Sequence, residues 1–167
     1  DRPVFYFPKF FHPDPTVDRQ SGFLMPSIVT SSNMGNSLKI PYFHVVSESA
    51  DLTIQPRIYF NNDLLLENEY RQVGKRYKHI SDFSLKKSNK STKSHIFSNT
   101  LIDTSSDNFD YSVIEVNYEN TSNDTYLKTD NLKKSSQDSH NLLNSYFKFE
   151  ASDDEFDLLV EASAFKD

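Results

Sequence analysis

The chain has 167 residues, enough for one ordinary domain, with 36% apolar residues and a formal net charge of −6 at pH 7. The absence of cysteine excludes disulfides, zinc–thiolate sites and cysteine catalysis within these residues, and the acidic balance argues against a nucleic-acid partner. No stretch approaches the ~18 consecutive apolar residues of a membrane-spanning helix, although the alternating strands of a β-barrel escape that criterion.

The first 20 residues differ in composition from the rest of the chain. They contain four prolines, Pro3, Pro8, Pro13 and Pro15, which favour extended backbone without regular pairing. We therefore expect an extended connector over residues 1–20 and a β-sheet region over residues 21–167. Because both ends of the chain stop abruptly within such patterns, we expect an internal piece of a longer protein.

The next two segments, residues 22–32 and 37–46, are predicted strands that each contain a proline. Pro26 lies in the first and Pro41 in the second. Proline has no N–H to donate to a sheet ladder, so it is tolerated mainly at edge strands and bulges. Two neighbouring strands that each lose a hydrogen bond indicate either ordinary edge protection or a pairing that is weak for a functional reason. Pro56 in the third strand is interpreted as a local kink.

In the remaining strands apolar and polar residues alternate repeatedly with the period of a β-strand, less clearly in the second half of the chain. In the fourth strand, Leu64, Leu66 and Tyr70 occupy one face, whereas Glu67, Glu69 and Arg71 occupy the other. A long polar loop is expected over residues 120–139. The predicted strands are residues 51–60, 64–72, 77–86, 94–103, 109–119, 141–151 and 155–165.

About nine strands of roughly ten residues predict an all-β, antiparallel, up-and-down meander. This strand length exceeds the ~5–6 residues usual in soluble sheets and matches that of tilted membrane-spanning strands. The predicted connections are longer at one end of the sheet than at the other, as in outer-membrane barrels. We therefore predict a partial arc of a large transmembrane β-barrel. Another outer-membrane barrel, such as a porin or an adhesin-like protein, and a soluble β-sandwich binding module remain the alternatives.

No residue set indicates catalysis, a cofactor or a metal site. The five histidines lack the paired spacing of metal ligands, and three glycines cannot supply a phosphate-binding loop. No context for a nucleophile is present. Several lysines between Lys86 and Lys93 are expected in an outer loop, where they are either solvated or near lipid phosphates. We therefore do not expect an enzyme.

Six short motifs occur in order along the first half of the chain. They are PVFYFP at 3–8, PD at 13–14, RQSGFLMP at 19–26, IPYF at 40–43, ADLTIQPR at 50–57 and LENEYR at 66–71. Together they resemble the LptD family of outer-membrane lipopolysaccharide-assembly proteins, at the junction between the periplasmic jellyroll and the barrel. The similarity covers residues 3 to about 85, is looser over 109–130 and elsewhere extends only to the pattern.

The resemblance implies lipopolysaccharide transport into the outer leaflet of the Gram-negative outer membrane. Pro26 and Pro41 then correspond to the family's lateral gate, where the first barrel strand meets the last. Inward polar residues, namely Arg57, Glu67, Glu69 and Arg71, are candidates to face the lumen. The implied partners are lipopolysaccharide, outer-membrane lipid, an LptE-like lipoprotein plug in the lumen, and a periplasmic LptA-like bridge that joins through the N-terminal domain.

Overall fold

The computed structural model describes residues 19–31, 35–89, 91–106, 110–123, 125–130, 132 and 143–166. Most of the predicted connector lies outside these residues. The described part contains eleven strand segments and one short helix. They are β1 (Gly22–Phe23), β2 (Ser27–Ser31), β3 (Gly35–Lys39), β4 (Tyr42–Ser47), β5 (Ala50–Tyr59), β6 (Leu64–Val73), β7 (Tyr77–Lys87), β8 (Thr92–Asp103), β9 (Tyr111–Thr121), α1 (Tyr126–Thr129), β10 (Leu143–Asp153) and β11 (Phe156–Lys166).

All strand segments belong to one antiparallel sheet, in which each long strand pairs with its neighbours in sequence. From β5 to β11 the strands contain 10 to 12 residues, and β1 with β2, and β3 with β4, form two further interrupted strands. The sheet is thus a meander of about nine strands, as predicted. Within the described residues its two edges do not pair with each other. The sheet is therefore an open arc, and the two stacked layers of the sandwich alternative are not formed by these residues.

The first two strands are interrupted where continuous strands were predicted. Pro26 lies between β1 and β2, and Pro41 lies between β3 and β4. Phe23 pairs with Tyr42 and Ser27 with Lys39, so residues 24–26 stand opposite residues 40–41. The first strand therefore contains one additional residue, as in a β-bulge. Regular pairing is interrupted there because neither proline can donate to the ladder, and it is present on either side.

The bulge keeps large apolar side chains of the first strand on one face of the sheet. Side chains alternate between faces, so Phe23 and Ile28 would face opposite sides of an uninterrupted strand. The additional residue places both on the same face, opposite Tyr42 and Leu38 respectively. We call residues 24–26 and 40–41 the proline break.

Pro56 differs from the other two prolines because it remains within its strand. It pairs with Leu66 of β6, and its carbonyl accepts a hydrogen bond from the Ile40 amide at 3.1 Å. The N–H and C=O of one residue in an antiparallel strand point to the same neighbour. The N–H that Pro56 lacks would thus point toward the proline break, so the ladder between β5 and β6 is intact.

The two faces of the sheet differ in chemistry, as the alternation predicted. The inner face, which we define as the face against which α1 packs, carries the buried cluster of Tyr59, Leu65, Phe97, Tyr126, Leu127, Leu132 and Leu143 together with most charged side chains. The outer face is mostly apolar and exposed, including Phe23, Ile28, Ile58, Leu64, Phe83, Leu85, Ile96, Val116, Tyr118, Phe147, Leu158 and Val160. An apolar surface of this extent requires a nonaqueous neighbour or a partner. Among the described residues, no helix reaches the length and hydrophobicity that a membrane-spanning helix needs.

Candidate functional site

The candidate site is the proline break together with the contacts that hold the strand segments on either side of it. The break lies at the edge of the sheet, since β1 and β2 have no second neighbour among the described residues. Only two residue pairs join β1 to β4, whereas five join β2 to β3. One backbone hydrogen bond crosses the break, from the Leu24 amide to the Pro41 carbonyl at 2.9 Å. This edge is therefore weakly paired.

Large apolar side chains are exposed at the break and next to it. Phe23, Met25 and Ile28 are 77%, 63% and 71% exposed, and the values for Phe23 and Ile28 are the two highest among the exposed large apolar side chains of the described residues. Phe23 contacts the Tyr42 ring edge-on at 5.0 Å between centroids, while Pro41 is buried and Pro26 is exposed. The site therefore combines missing backbone donors with a surface suited to hydrocarbon.

The end of the sheet nearest the connector is held by an ion cluster around Asp51. This buried carboxylate accepts hydrogen bonds from Arg19, which precedes β1, and from Arg71 Nε at 2.9 Å. Arg71 also lies 3.5 Å from Glu69. We call these four residues the Asp51 clamp. It fixes the point at which the chain enters the sheet, because a carboxylate shared by two guanidinium groups has little freedom to move.

The opposite end of the sheet is covered on its inner face by residues 125–130 and 132. Asp130 is completely buried. Its carboxylate accepts hydrogen bonds from Lys86 Nζ and from the Tyr59 hydroxyl, the latter at 3.1 Å, and Asp63 lies 4.0 Å from the Lys86 ammonium. The backbone carbonyl of Asp130 accepts a hydrogen bond from Arg57 Nη1 at 2.9 Å. We call this set the Asp130 cluster.

A second polar group fixes the helix that precedes Asp130. Ser84 Oγ lies 2.8 Å from the Tyr126 hydroxyl and 2.6 Å from His95 Nδ1, and His95 Nε2 lies 3.4 Å from Asp82. Burial raises the pKa of the Tyr126 phenol, so this side chain remains a neutral hydrogen-bonding group. Because α1 has four residues, too few to be stable alone, these contacts determine where it lies.

Side-chain hydrogen bonds continue from the Asp130 cluster to the edge strand. Arg57 Nε donates to Ser37 Oγ at 2.8 Å, and the Ser37 hydroxyl donates to the Val29 carbonyl at 3.1 Å. Ser37 is completely buried and pairs with both Val29 and Tyr59. The segment after β9 is thus joined to β2 through residues of β5 and β3.

The four predicted lumen-facing residues share the inner face. Arg57 is 3% exposed, and its guanidinium group donates hydrogen bonds to Ser37 and Asp130. Glu67 accepts a hydrogen bond from Lys39 at 3.4 Å, while Glu69 and Arg71 belong to the Asp51 clamp. Whether these residues contact a plug stays a prediction, as does the gating role of Pro26 and Pro41.

Sequence reasoning missed the Asp130 cluster. Residues 120–139 were expected to be a polar loop, and the expectation for Lys86 in an outer loop was wrong because it is buried beneath Asp130. Its position on the polar face of a strand, opposite Phe83 and Leu85, was the available signal. Nothing in the local sequence indicated its partner.

The chain is similar in sequence to proteins of one known family. A family model described as LptD protein matches residues 2–152. Relatives named LPS-assembly protein LptD include those of Ectopseudomonas mendocina, 44% identical over 75 residues, Pseudomonas putida, 43% identical over 75 residues, and Pseudomonas aeruginosa, 40% identical over 75 residues. In each case the match covers 44% of this chain and 8% of the relative. The chain therefore spans a small part of the relatives it matches.

Proposed function

We propose that this chain, which belongs to the LptD family, forms the first strands of an outer-membrane β-barrel that assembles lipopolysaccharide into the outer leaflet. The relatives are named for LPS assembly. The work is transport rather than catalysis, so the chain is not an enzyme. The chain lies in the lipid of the Gram-negative outer membrane.

The outer face of the sheet carries this proposal. It presents exposed apolar side chains on successive strands of 10 to 12 residues, the length that crosses a bilayer when strands are tilted. Charged side chains are concentrated on the inner face, as in a barrel with a polar interior. An apolar outer face and a charged inner face on the same strands are what lipid on one side and an enclosed aqueous space on the other require.

We further propose that the proline break forms one side of a lateral gate. Each proline removes one ladder donor, and a backbone hydrogen bond contributes about 1 kcal/mol. An unsatisfied partner in lipid costs several kcal/mol, so both prolines are best accommodated at a seam. The location of the break at the sheet edge, beside exposed Phe23 and Met25, supports a seam that opens toward lipid.

The inner face supports a proposal about partners. Glu69 and Arg71 retain exposed side-chain surface, 29% and 48% respectively, whereas Arg57 is buried by the chain itself. We therefore expect an LptE-like plug to contact Glu69 and Arg71 rather than Arg57. A periplasmic LptA-like bridge would deliver lipopolysaccharide from the side of the Asp51 clamp, where the chain enters the sheet.

Replacement of both break prolines tests the gate. In the complete protein, Pro26→Val with Pro41→Val should restore ladder donors and strengthen the first two strands, and thereby reduce delivery of newly made lipopolysaccharide to the cell surface. The level of the variant in the outer membrane is measured in parallel.

Ser81→Val with Ser98→Val is the control, because it places the same two side chains on β7 and β8, two regularly paired strands away from the break. Normal delivery by the double proline variant would contradict the gating role without affecting the fold. An equal loss in the double serine variant would show that the effect is not specific to the break.

A further inference from the structure

We infer that Arg57 and Ser37 are positioning residues that hold the β2–β3 half of the first hairpin in its resting position by connecting it to Asp130. The connection runs from Asp130 through Arg57 and Ser37 to Val29, and we call it the Asp130–Val29 relay. This inference deepens the proposed gate and rests on it for its functional meaning. Its structural part stands on contacts alone.

The relay begins at a fixed point. Asp130 is completely buried, and its carboxylate is held by Lys86 and Tyr59 on two different strands. Its carbonyl is therefore presented to Arg57 from a defined position. Because α1 is a single short turn, the position of this carbonyl depends on these side-chain contacts rather than on the helix.

Arg57 transmits that position across the sheet. The guanidinium group is planar and offers donors in a rigid arrangement. Its Nη1 donates to Asp130 and its Nε donates to Ser37, while it lies over the Tyr59 ring at 4.9 Å. A side chain that is hydrogen-bonded through Nη1 and Nε and lies over a ring has few alternative rotamers, so Ser37 Oγ receives a directed, charge-assisted hydrogen bond.

Ser37 completes the connection at the edge of the sheet. A hydroxyl can accept one hydrogen bond and donate another, and Ser37 accepts from Arg57 and donates to Val29. The relay matters here because β3 pairs with β5 at only three positions before the proline break interrupts the strand. Beyond the break, β4 pairs with β5 at five positions, and Arg19, which precedes β1, is bound by Asp51.

This arrangement makes the two halves of the first hairpin mechanically distinct. The half near the connector is fixed through Arg19 and Asp51, and the Val45 amide donates to Ser21 Oγ at 2.8 Å. The other half is fixed through the relay. Release of the relay should therefore loosen β2 and β3 and leave the rest of the sheet unchanged.

Amide hydrogen exchange on the complete protein in its membrane complex tests the relay. In Ser37→Ala we expect about tenfold faster exchange in the peptides that cover β2 and β3, the effect of losing one hydrogen bond to a charged group. Exchange in β6 and β7 should not change. Ser37→Thr, which retains a hydroxyl, should exchange more slowly than Ser37→Ala.

Ser112→Ala is the matched control. Ser112 is equally buried in β9, and its hydroxyl is hydrogen-bonded to Thr104 at 2.7 Å, but it lies outside the relay. The inference is overturned if Ser37→Ala leaves β2–β3 exchange unchanged, if Ser112→Ala accelerates it equally, or if Ser37→Thr behaves as Ser37→Ala does.

A combined variant tests whether the relay acts on the gate. If Pro26→Val with Pro41→Val reduces delivery by stiffening the hairpin, addition of Ser37→Ala should recover part of the lost delivery. No recovery, despite accelerated exchange, would refute the link to gating. If the proline variants deliver normally, the proposed gate fails, whereas the exchange result still decides whether the relay exists.

Discussion

Lys86 gives the strongest test of the Asp130 cluster, because its ammonium is the close ionic partner of a completely buried carboxylate. Lys86→Met removes the charge and retains much of the volume. The carboxylate of Asp130 is then left with the Tyr59 hydroxyl and without its paired cation. Residues 125–130 and 132 should leave the inner face more often, because water can solvate the Asp130 carboxylate when they do.

The expected magnitude follows from burial. Removal of one partner from a buried ion pair costs about 3–5 kcal/mol. The lower end applies here, because the Tyr59 hydroxyl still donates to Asp130 and the Arg57 guanidinium still bonds to its carbonyl. A loss of about 3 kcal/mol raises the local opening constant on the order of 100-fold.

Hydrogen exchange measures this opening directly. The amides of Thr129, Asp130 and Leu132 donate within the segment, to Thr125, Tyr126 and Leu127 respectively. Their exchange should accelerate in Lys86→Met by on the order of 100-fold, for the reason given above. Asp130→Asn added to Lys86→Met should reverse most of the change, because it removes the uncompensated charge.

Lys87→Met is the control, since Lys87 is the exposed neighbour on the same strand. An acceleration below about threefold in Lys86→Met would mean that the ion pair contributes less than 1 kcal/mol. The reasoning would then be wrong. The same would follow from equal effects of the two lysine variants.

Three further predictions concern the inner face, the connector and the first turn. Leu65→Ala should lower the free energy of unfolding by about 2–5 kcal/mol in a denaturant titration, because Leu65 is completely buried. Leu85→Ala is the comparison variant, because Leu85 is exposed. Asp51→Asn should weaken the binding of Arg19 in the clamp by about 1 kcal/mol, since Arg19 is partly exposed. Trypsin should then cleave after Arg19 faster than in the unsubstituted protein, and an unchanged cleavage rate would contradict this prediction. Gly35→Ala should cost about 1–2 kcal/mol in the same titration, because φ at Gly35 is +74°; no loss would exclude strain there.

The local sequence determined the strands and the chemistry of their faces. Side chains of a strand alternate between its two faces, so Leu64 and Leu66 had to lie on one face and Glu67 and Glu69 on the other once the segment was extended. The same pattern predicted the meander, the strand lengths and the charged inner face. These properties depend on residues within one strand and its turn, which is why composition and spacing were sufficient.

The tertiary structure decided where the first two strands are interrupted and what fixes their halves. The bulge at residues 24–26 arises from the pairing of two separate segments, and Arg57 meets Asp130 across 73 positions of sequence. A polar residue in a loop has no local signal for a partner so distant, because burial becomes favourable only when the complementary charge is already in place. Asp130 of the polar loop can therefore bind the sheet and connect to the edge strand only because the sheet places Lys86, Tyr59 and Arg57 together on its inner face.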